Sequence, residues 1–127
     1  MTSTQTTTDN SRGGDGRPIV LFAIEPHSYA QAIGSTVGLL RPELDVRVVE
    51  PEDLVAEMER LAPSLVFCGE ERPDGCAEAV RWAEFRPYDE PDVVRVDGRP
   101  ESFPGLDLED ILELVDRLAA PSAARDA

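Results

Sequence analysis

Pro18-Ile19-Val20-Leu21-Phe22-Ala23-Ile24 is a short run without a single charged or hydrogen-bonding side chain. A strand with one face in water alternates apolar and polar residues. A run this short that does not alternate, and that is bounded by a turn signal, reads as a strand covered on both faces. Strands of that kind belong to parallel sheets flanked by helices, so these residues set the fold class to α/β.

The flanking sequence extends that reading. Glu25-Pro26-His27 ends the strand, and a helix follows from Ser28, where Ser28 and Gln31 have the spacing of a capping box. Ile33, Val37 and Leu40 share one helical face, Gly34 and Gly38 mark a close approach, and Pro42 ends the helix. Leu44 to Val49 alternates around Asp45 and Arg47 as a second strand. Pro51 suits a first helical turn, with Glu52 and Asp53 at its positive end and Leu54, Val55, Met58, Leu61 and Ala62 as the apolar stripe. Pro63 stops that helix, and Ser64 to Cys68 is a third buried strand closed by Gly69. Residues 18–69 thus read βαβαβ, a unit of parallel strands with right-handed crossovers.

The second half is less regular. Ala77 to Pro87 fits either a short helix or a strand. Val93 to Val96 and Arg99 to Phe103 flank Asp97-Gly98, the signature of a hairpin with a type I′ turn, and Pro100 places the second arm at an edge. Trp82 and Phe103 are expected in the core. Asp107 caps a last helix with Leu108, Ile111, Leu112, Val115 and Leu118 as its buried stripe. The expected domain is residues 17–120, between disordered tails at 1–16 and 121–127, whose composition offers nothing to bury. Its parallel core has strand order 2-1-3, extended by an antiparallel hairpin and a C-terminal helix.

Three stretches carry a resemblance to a known family. Ile19 to His27 resembles the first strand and acidic pair of a response-regulator receiver domain, Pro42-Glu43-Leu44-Asp45-Val46 its approach to the second strand, and Ala62 to Gly69 its third strand. The resemblance implies a flavodoxin/receiver-like three-layer fold. It also implies a pocket in which carboxylates hold Mg²⁺, one carboxylate accepts a phosphoryl group, and a lysine and a hydroxyl bind its oxygens. Here Glu25 keeps the first acidic position, Pro26 replaces the second, and Gly69 stands where the family's third strand ends in the phosphorylated aspartate. No lysine occurs in the chain. The implied module is therefore a stand-alone pseudo-receiver, not phosphorylated on aspartate, that acts through a protein partner and needs no cofactor.

Composition narrows the partner. The formal net charge is -14, and all 12 basic residues are arginine. Such a chain repels nucleic-acid phosphates and anionic lipid and attracts cations or a basic protein. Arg81, Arg86, Arg95 and Arg99 are the one candidate basic patch. The N-terminal ten residues lack the basic and apolar regions of a secretory signal, so a cytoplasmic location with reduced Cys68 and Cys76 is expected. Order 2-1-3 would bring the C-terminal ends of strands 1 and 3 together, carrying Glu25 and His27 on one and Cys68 and Glu70 on the other. The alternative function is a small metal- or ligand-binding protein, or an enzyme, using those four residues.

Overall fold

The computed structural model describes residues 17–75 and 79–119. The expected tails, Cys76 and Ala77 lie outside the described residues. Among those residues the chain forms one mixed six-stranded sheet and three helices. In chain order these are β1 (Ile19–Ala23), α1 (His27–Leu40), β2 (Asp45–Val48), a 3₁₀ turn (Pro51–Asp53) running into α2 (Leu54–Leu61), β3 (Leu65–Cys68), β4 (Arg81–Phe85), β5 (Val93–Val96), β6 (Arg99–Ser102) and α3 (Leu108–Leu118).

The sheet order is β2-β1-β3-β4-β5-β6. The first four strands are parallel, with β1 paired to both β2 and β3, and the last two run antiparallel. All five residues of β1 are buried, as the unbroken apolar run requires. Val20, Phe22 and Ile24 face one side with Phe67, Phe85, α1 and α3. Ile19, Leu21 and Ala23 face the other with Val66, Cys68, Trp82 and α2. Phe22 and Phe67 sit opposite each other in register and stack with ring centroids 4.8 Å apart, worth about 0.5–1.5 kcal/mol beyond the area they bury.

Several local expectations are corrected. Helix α1 begins at His27, with Pro26 at its N-cap and no side-chain cap, so Ser28 and Gln31 form no capping box. The extended backbone of Pro26 sets the start instead. Val55 is exposed, and Ala62 lies beyond α2 as a left-handed cap. The ambiguous stretch before Pro87 is strand β4, because its backbone pairs with β3 on one side and β5 on the other. The connection from β3 to β4 contains no described helix. It is pinned where the Trp82 indole N–H donates to the Glu70 carbonyl at 2.9 Å and Arg72 donates to the Val80 carbonyl.

The hairpin forms as expected. Asp97 and Gly98 both have positive φ, and β6 carries Pro100 at the sheet edge. Trp82 is buried in the α2-side core and Phe103 packs partly buried on the α1/α3 side. Helix α3 has a capping box in which Asp107 accepts from the Asp110 N–H and the Asp110 carboxylate accepts from the Asp107 N–H. Arg41, just past α1, donates two hydrogen bonds to Asp116 of α3. That hydrogen bonding holds the Asp116 carboxyl below its ordinary range, so its contribution is complete at neutral pH and is lost as acid protonates it.

The two α1 glycines make unequal contacts. A Cβ at Gly34 would stand 2.6 Å from Val48 Cγ2, whereas one at Gly38 would meet Val46 Cβ at 3.8 Å, an ordinary contact. Gly34→Ala is therefore expected to destabilise by about 1–3 kcal/mol. Gly38→Ala is expected to stabilise by about 0.5–1 kcal/mol. Urea denaturation of both variants checks the difference in sign.

Candidate functional site

The C-terminal ends of parallel strands converge where successive connections leave on opposite faces, and ligands of open α/β sheets bind there. In this chain the segments following β1, β2, β3 and β4 enclose an open cleft of about 690 Å³. Glu25, Pro26 and His27 come from the first, Glu50 and Pro51 from the second, Gly69 and Glu70 from the third, and Phe85 to Asp89 from the fourth.

Its charge is uneven. Glu25, Glu50, Glu70 and Asp89 bring four carboxylates, against the Arg86 guanidinium and the His27 imidazole. Arg86 is already engaged. One terminal nitrogen lies 2.5 Å from Glu84, the one buried charged side chain among the described residues, and the other lies 3.5 Å from Glu90. Glu90 is tied in turn to Arg95, whose hydrogen bond holds the Glu90 carboxyl below its ordinary value. The cleft therefore keeps an excess of negative charge. Tyr88 projects at its rim, 76% exposed. His27 Nδ1 lies 3.1 Å from Glu50 Oε2, at ion-pair distance but outside hydrogen-bond geometry, and the nitrogen is buried with no hydrogen-bond partner.

Three of the four residues singled out from sequence meet at this cleft: Glu25, His27 and Glu70. Cys68 does not. Alternation along β3 turns it to the α2 side, where it is 1% exposed among Leu21, Ala23 and Trp82. Its sulfur accepts the Glu70 N–H at 3.3 Å, and burial pushes its thiol pKa up. Among the described residues no set of three or more His, Cys, Asp or Glu side chains is placed to hold a metal ion. Sequence reasoning does not place four of the lining residues at this site: Glu50, Arg86, Tyr88 and Asp89. The strand-end rule names Arg86, Tyr88 and Asp89 only once β4 is known to be a parallel strand, whereas Glu50 follows β2, a strand the sequence already indicates. The expected basic patch also divides. Arg95 lies opposite Glu84 on the α2 side of the sheet, while Arg81 and Arg99 border a separate notch with Arg117.

Compared with family models, curated proteins and solved structures, the chain matches none. No described helix is long and apolar enough to cross a membrane.

A raised thiol pKa in a packed core makes Cys68 unreactive, since the thiolate is the attacking species. In a Cys76→Ser variant, where Cys68 is the remaining thiol, a disulfide reagent such as DTNB is expected to report no fast reaction at pH 8. Full reaction is expected once guanidinium unfolds the chain. A fast reaction in the native state would place Cys68 at an accessible site instead.

Proposed function

We propose that this domain is a receiver-like protein-interaction module, not phosphorylated on aspartate, that grips a cationic segment of a partner protein in the strand-end cleft. The observation that carries the reading is the cleft itself. It is open, it has four carboxylates, and its one arginine is drawn away to Glu84 and Glu90. An arginine or lysine side chain entering between Glu70 and Asp89 would find carboxylate acceptors and, in Tyr88, an aromatic face for a cation–π contact. Pro26, Pro51 and Pro87 border the same space and offer apolar surface to the stem of such a side chain. The chain's net charge of -14 would steer a basic partner toward it over the range of the Debye length.

The receiver likeness is supported by the central βαβαβ unit, whose helices cover both sheet faces, and by Glu25 two residues past the end of β1. Gly69 has no side chain to accept a phosphoryl group. The adjacent Glu70 is one residue further along, with its N–H held by the Cys68 sulfur.

A tetra-arginine peptide serves as the probe. Its titration into the ¹⁵N-labelled chain at low salt is expected to shift the amides of Glu25, Glu70 and Asp89 saturably, and 0.5 M NaCl should abolish the shifts. The double variant Glu70→Gln/Asp89→Asn should weaken binding at least about tenfold, the loss of two charge-assisted hydrogen bonds. Shifts confined to other carboxylates, or none, would overturn the reading.

Phosphoryl transfer is checked separately. Incubation with acetyl phosphate and Mg²⁺ should leave the intact mass unchanged. A gain of one phosphoryl group that disappears in Glu70→Gln would refute the absence of aspartyl-type chemistry at this end of the sheet.

A further inference from the structure

A second concavity lies at the other end of β4. Arg81 opens β4, Asp97 and Arg99 flank the β5–β6 turn, Glu101 lies on β6, and Arg117 and Leu118 close α3; together with Val96 they line a notch of about 370 Å³. This is a concentration of positive charge on a strongly acidic chain. Three guanidinium groups face two carboxylates, and Arg72 approaches Asp97 to 3.8 Å from the side.

The carboxylates orient the arginines rather than use them up. Asp97 is fixed by the hairpin turn: its Oδ1 accepts the Trp82 N–H at 2.9 Å, and its own N–H donates to the Trp82 carbonyl. From that position Oδ2 holds Arg81 through Nε alone, at 2.8 Å. Glu101 holds Arg117 through one terminal nitrogen at 2.7 Å. Arg99 is exposed and makes no ion pair among the described residues. The terminal nitrogens of Arg81, the second terminal nitrogen of Arg117 and the whole Arg99 fork remain as donors.

We infer that this notch binds a phosphate dianion, either free or carried as a monoester on another molecule. A tetrahedral phosphate presents three oxygens to three guanidinium groups and satisfies all of them, whereas a carboxylate presents only two. Three guanidinium groups against the two carboxylates leave the notch net positive, a charge that a phosphate offsets. The site is separate from the strand-end cleft and takes a ligand of opposite charge, so the two stand or fall independently.

The test titrates inorganic phosphate into the full ¹⁵N-labelled chain at low ionic strength. Saturable shifts are expected at Asp97 to Glu101 and at Arg117. Arg99→Gln should weaken binding at least about tenfold. Glu101→Gln, which releases Arg117, should tighten it severalfold, a gain that a merely structural ion pair would not produce. Arg60→Gln, on α2, should change nothing. Both altered arginines and Glu101 are partly or fully exposed, and a thermal melt of each variant verifies folding. O-phosphoserine binding more tightly than inorganic phosphate would assign the ligand to a phosphorylated side chain, and equal or weaker binding would assign it to a free ion. Acetate saturating the same amides as tightly as phosphate, shifts that fail to saturate, or no gain in Glu101→Gln would each overturn the assignment.

Discussion

The structure depends on one strand that water never reaches. Every residue of Ile19–Ala23 is at most 3% exposed. A strand buried on both faces needs two covering layers and two neighbouring strands, because its backbone N–H and C=O groups must also be satisfied. Each requirement is met by a nameable part. β2 and β3 supply the ladders, α1 and α3 cover the face of Val20 and Phe22, and α2 covers the face of Ile19 and Leu21. The close approach of α1 to β2 at Gly34 arises from the same demand, since a Cβ there would run into the Val48 side chain that the helix covers.

The same arrangement creates the cleft. α1 leaves β1 toward one face and α2 leaves β2 toward the other, so the ends of the parallel strands splay and leave the adjoining loop residues open to solvent. Those residues include four carboxylates, in keeping with the acidity of the chain as a whole. The cleft stays negative for a more specific reason. Glu84 is buried and needs a counter-charge, and it takes Arg86 from the residues that line the cleft. Breaking such a buried pair from one side leaves an uncompensated charge, so Arg86 is held where it is. A core requirement thereby sets the electrostatics of a surface site.

The opposite pole is built by a turn. Asp-Gly at residues 97 and 98 closes a hairpin whose φ values are positive, and the aspartate side chain then reaches back to the Trp82 N–H and the Arg81 guanidinium. One residue thus ends β5, registers it on β4 and aims an arginine. The outcome is a domain with negative charge at one end of its sheet and arginines at the other. That polarity is invisible in a net charge of -14.

Local physics is legible along the chain, and the sequence by itself determined much that is local. Residues 18–24 specified a doubly covered strand, the alternation and proline punctuation specified the βαβαβ half, Asp97-Gly98 its hairpin and Asp107 its helix cap. Each of these depends on residues near one another in the chain: periodicity, φ preference, a missing N–H. Glu25, His27 and Glu70 were also legible as neighbours, because order 2-1-3 brings the ends of β1 and β3 together. Tertiary structure alone decided three things. It made residues 81–85 a strand, since their helical and extended readings are close in local preference and only pairing with β3 and β5 separates them. It turned Cys68 to the α2 side and away from the cleft, since one residue of register on β3 selects the face. And it paired Arg117 of α3 with Glu101 of β6, because an ion pair across 16 residues of chain is set by where strands and helices pack and by nothing in the sequence between them.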